Sequence, residues 1–190
     1  MKAENGAGLS SAVLFKRKEI SMTDRIQKLF LKMIDFDADA DLIQHFTKVH
    51  SYCRLIASLE GVDEHTAEVL EAAALVHDIG IPVCNQKYGS HPGNLQEKEG
   101  PPLARQMLSG LNFTKEETDR VCTLVGEHHT YLPMDGIDHQ ILVEADFIVN
   151  SFENGLSRSA CQNIYKNIFK TEAGKRIFAT MFGMKSNILL

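Results

Sequence analysis

After Ser21 almost every stretch of this chain places its apolar residues three and four apart, and a chain so patterned can do little but pack helix on helix. Ile26, Leu29, Phe30 and Met33 make one such stripe within 23–36, and Leu42, Phe46, Val49, Cys53 and Ile56 make the next within 41–59, closing near Gly61. Asp63 opens a third helix, rich in Ala, Glu and Leu, that runs to Val76 and ends before Gly80 and Pro82. The punctuated stretch 81–95, with Pro82, Gly89, Pro92 and Gly93, is expected to be a loop or lid. Helix resumes near Gln96 or Pro101 and continues to Leu108. Thr114-Lys115-Glu116-Glu117 has capping-box spacing and starts a helix reaching His128. A turn follows over 131–138, and 141–152, 157–169 and 171–182 are the remaining helical segments. With no strand pattern and no repeat, the expected fold class is all-α, a single-domain helical bundle.

Composition narrows the function classes. A chain of 190 residues, 44% hydrophobic and 24% charged, is that of one ordinary globular domain with a sizeable core. The net charge of −5 provides no chain-wide footprint for a nucleic-acid polymer, and none is expected as a partner. Cys53, Cys84, Cys122 and Cys161 are far apart, without a CxxC pair, and read as reduced core thiols. Residues 1–21 carry a short Ala12-Val13-Leu14-Phe15 run followed by Lys16-Arg17-Lys18, too short for a signal or a membrane span and in the wrong charge order. They read as a flexible arm before a domain of 22–190. A mitochondrial presequence is the rival reading, opposed by Glu4 and Glu19, and Met22 is an alternative start. The expectation is a cytoplasmic protein without a membrane partner. The apolar C-terminal residues leave a homo-oligomer open.

His77 and Asp78 end the apolar run Ala72-Ala73-Ala74-Leu75-Val76. Burying an imidazole and a carboxylate together is costly unless a cation holds both, and a metal ion is the cation that fits. Two further candidates sit on apolar stripes. His50 follows Phe46 by one turn, and Asp146 follows Leu142 by one turn. His50, His77, Asp78 and Asp146 form a donor set suited to manganese, iron, cobalt, nickel or zinc, with magnesium admissible. His45 is off the face chosen for His50 and reads as a surface or supporting group, while His65 and His139 read as solvent-facing.

The order His50, His77-Asp78, Asp146 on an all-helical chain, with the string His77-Asp78-Ile79-Gly80, resembles the HD superfamily of metal-dependent phosphohydrolases, over roughly residues 40–150. The resemblance implies that these four residues bind the metal, and the chain looks closest to the small single-domain hydrolases of bacteria. His128-His129 matches a doublet found in the more distant HD-GYP phosphodiesterases. The Gly-Tyr-Pro string of those enzymes is lacking, and Gln96 to Gly100 offers Gln or Glu where their additional His is expected. One tightly bound metal per chain is the expectation, a second being held weakly or not at all.

Such a site activates water for hydrolysis of a small phosphorylated substrate, nucleotides included. Asp78 and His128 are the expected catalytic groups, with Glu99 or Glu127 as alternative bases; Arg54, Lys87 and His129 are the expected substrate-binding groups. Two rival functions are kept: a di-iron oxygenase using His128, His129 and a bridging Asp78, and a regulatory module that binds a phospho-ligand at a weak site.

Overall fold

The computed structural model describes residues 22–36, 39–131 and 133–184, and for Met22 and Thr23 the backbone alone. The arm over 1–21 and the apolar 188–190 lie outside the described residues. Among the described residues the chain forms helices and no strand: α1 (Met22–Asp35), α2 (Ala40–Leu59), α3 (Glu64–Ala74), α4 (Ile81–Tyr88), α5 (Gly93–Leu108), α6 (Lys115–Glu127), α7 (Gly136–Glu153), α8 (Arg158–Asn167) and α9 (Glu172–Met181). The all-α expectation holds.

The helix starts are written in side chains that accept from exposed backbone N–H groups. Asp39 accepts from Leu42, Asp63 from Thr66, Ser157 from Ala160 and Thr171 from Gly174. Thr114 and Glu117 complete the predicted capping box reciprocally. The core-facing stripes then pack as their spacing requires: Leu29, Met33, Phe46, Val49, Ile56, Leu70, Leu124, Ile141 and Leu142 are fully buried in one continuous cluster. Helix α3 is central, lying against α1, α2, α6 and α7, while α2 runs against α7 and α5 against α6.

Two local expectations change. The expected loop over 81–95 is mostly helix, because its breakers sit where helices tolerate them. Pro82 occupies the first turn of α4, Gly89 adopts the left-handed conformation that closes it, and Pro92 caps α5. Helix α5 then runs across both Pro101 and Pro102. The third helix also stops earlier than predicted, at Ala74, and residues 75–80 form a tight turn. Val76 donates to Ala73 O, Ile79 to Val76 O and Ile81 to Asp78 O, each three positions back. Gly80 lets that turn lie on α5, where a Cβ would stand 3.1 Å from the Gly100 amide nitrogen. His77 and Asp78 therefore project from a tight turn seated on α5, and not from the last turn of a helix.

Candidate metal centre

Three elements converge on one point. His45 comes from α2, His77 and Asp78 from the turn after α3, and Asp146 from α7, and all four are buried. His45 Nε2 is 3.2 Å from His77 Nε2, 3.2 Å from Asp146 Oδ1 and 3.5 Å from Asp78 Oδ2. His77 Nε2 is 3.4 Å from Asp78 Oδ2 and 3.5 Å from Asp146 Oδ1. Ligands at about 2.1 Å from a tetrahedral ion are spaced about 3.4 Å apart, so these separations suit one small divalent cation.

Hydrogen bonds on the far side of each ring fix which nitrogen faces inward. His77 Nδ1 donates to Ala74 O at 3.0 Å, and His128 Nδ1 to Val125 O at 2.7 Å. His45 Nδ1 lies 2.8 Å from Glu153 Oε2, an acceptor. Neutral rings with Nδ1 protonated present the Nε2 lone pair to the centre. With the rings in that state, lone pairs and carboxylate oxygens point at one another, an arrangement relieved by a proton on His45 Nε2 or by a bound cation. No Lys or Arg pairs with His45, His77, Asp78 or Asp146 among the described residues. The donor set fits a metal.

The electrostatics agree with that geometry. Burial opposes ionisation of Asp78, but His77 and His128 outweigh it and hold the carboxyl below its usual range; His45 and His77 do the same for Asp146. Burial likewise opposes charge on His45, yet the hydrogen bond to Asp146 and the fields of Asp146 and Asp78 raise its pKa to about 9. Asn150 donates to Asp146 Oδ1 at 2.8 Å and orients that carboxylate.

A second group adjoins the first through Asp78. His128 Nε2 stands 3.0 Å from Asp78 Oδ1, and a donor atom of His129 completes a cluster within 4.8 Å. His129 Nδ1 is 3.3 Å from the Tyr131 hydroxyl, while its buried Nε2 has no partner. Glu97 on α5 accepts from the His129 amide and the Thr130 hydroxyl, tying the end of α6 to α5. His139 is buried, contrary to the solvent-facing expectation. It accepts from the Asp135 amide at Nδ1 and donates from Nε2 to Glu127 O, pinning the backbone just before His128.

Of the residues expected at the site, His77, Asp78 and Asp146 are brought together, with His128 and His129 beside them. His50 is not among them. It and His45 flank the α2 apolar stripe on opposite edges, about 80° and about 60° from its centre at 3.6 residues per turn. The His45 edge faces Asp146 and the 75–80 turn, whereas the His50 edge faces α1 and α3. There His50 Nε2 meets Glu71 Oε2 at 2.9 Å and its ring stands edge-on to Phe30. The step from Phe46 to His50 marks the flank that faces away from the cluster; the step from His45 to Val49, Cys53 and Ile56 carries the usable signal. Arg54 is 63% exposed and pairs with Glu71, and Lys87 is 52% exposed and pairs with Glu99, so neither cation engages the cluster. Glu99 is itself held by Lys87 and Tyr88.

A helical bundle that buries imidazoles and carboxylates at metal-binding spacing has the make-up of an all-α domain with a metal site. Residues 42–166 match the family model of the HD domain, and the chain belongs to that family. HD domains bind divalent metals and are typically metal-dependent phosphohydrolases. Neither a search of curated proteins nor one of solved structures returned a match. No helix among the described residues is long and apolar enough to cross a membrane.

Proposed function

We propose that this chain is a metal-dependent phosphohydrolase acting on a small phosphorylated substrate, with nucleotides in the class. The observation that carries this reading is the convergence of inward-facing Nε2 atoms and two ionised carboxylates with no Lys or Arg paired to them among the described residues. His45, His77, Asp78 and Asp146 would hold a divalent cation, which would supply a lowered pKa for coordinated water and polarisation of a phosphoryl oxygen.

The chain's own residues supply the rest. Asp78 keeps Oδ2 toward the cation position and Oδ1 toward His128, so a proton taken up at Oδ1 passes over 3.0 Å to His128 Nε2. Burial opposes charge on His128, but its hydrogen bond to Asp78 and the fields of Asp78 and Asp146 raise its pKa, which suits it to hold that proton. Burial and the neighbouring His128 lower the pKa of His129 and keep it neutral. With Tyr131 donating to Nδ1, the proton of neutral His129 stands on the buried, unpartnered Nε2, which a phosphoryl oxygen would satisfy once a substrate reaches it. Arg54 and Lys87, paired elsewhere, have no part in this scheme.

The test is hydrolysis of nucleotides, cyclic dinucleotides and sugar phosphates by protein loaded in turn with manganese, iron, cobalt, nickel, zinc and magnesium. Turnover that disappears in H77A and D78A supports the proposal, and turnover that survives in both refutes it. The second cluster favours one further reading, a pair of ions bridged by Asp78, on which a di-iron oxygenase would rest. Two irons per chain with oxygen uptake support that reading, and a single ion refutes it.

A further inference from the structure

The inward-facing rings are not all aligned in the same way. His77 and His128 each donate from Nδ1 to a carbonyl three positions back, Ala74 O and Val125 O, so their own segments hold them. His45 relies on a distant side chain. Its Nδ1 meets Glu153 Oε2 at 2.8 Å, from the last residue of α7, and the second oxygen of Glu153 accepts from Lys48 Nζ, also at 2.8 Å.

We propose that Glu153, steadied by Lys48, is a positioning residue for the metal centre: it fixes the His45 tautomer and ring plane, and so sets how tightly the site holds its ion. An ionised carboxylate only accepts, so the single N–H of neutral His45 must stand on Nδ1, and the lone pair must stand on Nε2 among Asp146, Asp78 and His77. A carboxylate behind a ligating imidazole also strengthens the ring as a donor. Lys48 lies one helical turn beyond His45 on α2, so its ammonium holds Glu153 over the ring from the same helix. Glu153 touches neither the ion position nor the reacting atoms, which makes it a positioning residue and not a catalytic one.

The inference rests on the metal-binding reading of the cluster, and one experiment separates the two. Zinc affinity of the full chain is measured by chelator competition for the parent, E153A, E153Q and K48M, and the His45 Nδ1–H resonance is followed in the zinc-loaded proteins by NMR. E153A is expected to bind zinc about 10- to 100-fold more weakly and to lose the protected Nδ1–H signal. E153Q, whose amide oxygen still accepts from Nδ1, is expected to keep the signal and recover part of the affinity; K48M should fall between parent and E153A. Affinity in E153A within twofold of the parent overturns the inference alone. Absence of a protected His45 Nδ1–H in the zinc-loaded parent overturns it without any variant, should E153A not fold. A parent that takes up no zinc overturns both this inference and the metal reading.

Discussion

His128 Nε2 and Asp78 Oδ1 stand 3.0 Å apart, while the other oxygen of the same carboxylate faces His45 and His77. One side chain therefore serves two neighbourhoods, and removing either neighbour should have different effects. His128→Ala is expected to lower turnover by about 100- to 10,000-fold while one ion per chain remains bound. Steady-state kinetics beside metal analysis of the same preparation reads both.

The two α2 histidines offer a sharper contrast. His45→Ala should strip the tight metal, because three ligands remain and Asp146 loses its nearest imidazole. His50→Ala should keep full metal content, since that ring pairs with Glu71 on the far flank of the stripe. Metal analysis after dialysis against a weak chelator distinguishes them, and equal loss from both would contradict the placement of His45.

Metal uptake should depend on pH with a defined sign. In the ion-free protein His45 has a pKa raised to about 9, chiefly by Asp146 and against the effect of burial, so at neutral pH it carries an extra proton. That proton must leave before Nε2 can coordinate. Affinity is expected to climb as pH rises toward 9 and level off above it. Calorimetry at pH 7 in buffers of different ionisation enthalpy should register proton release, and uptake without release would count against this account.

Arg25 clamps Glu68 and Glu117, joining α1 to α3 and α6. Its hydrogen bond is the largest influence on Glu117 and holds that carboxyl below its ordinary 4.5. A depressed pKa stabilises the fold above the unfolded value, and the contribution is lost as pH falls through the lower folded value. Glu117→Gln should cost about 3 kcal/mol at pH 7, by breaking a buried pair, and should flatten the stability profile below pH 4.5. Urea denaturation from pH 3 to 7 measures both.

Gly93 is where α5 meets His129: a Cβ there would come 2.7 Å from the imidazole ring. Gly93→Ala should displace His129, weakening substrate binding or a second ion, while the cluster of His45, His77, Asp78 and Asp146 stays loaded. A raised KM with unchanged tight-metal stoichiometry is the expected result.

The helices were legible because burial imposes its period on sequence, and the capping box at Thr114 and Glu117 appeared as its spacing implied. Breakers were harder to read. Pro82, Gly89 and Pro92 mark boundaries between short helices, and sequence cannot distinguish a cap from a coil when caps follow one another so closely. At the site, His77, Asp78 and Asp146 were visible from their apolar surroundings. His45 was not, because the choice between two edges of one stripe depends on which helix lies against each edge. Arg54 and Lys87 looked available only because their partners Glu71 and Glu99 lie on other elements. His139 was hidden for a related reason: its two bonds are to backbone atoms that only the folded chain brings near.

His45 and Asp146 are separated by more than half of the chain, yet their donor atoms lie 3.2 Å apart. During synthesis on a ribosome the earlier residue must wait for the later one, so an ion held by both would be taken up only after α7 has emerged and docked. Loading then becomes a late checkpoint on maturation, and truncation anywhere before Asp146 should yield a polypeptide that no supply of metal can rescue.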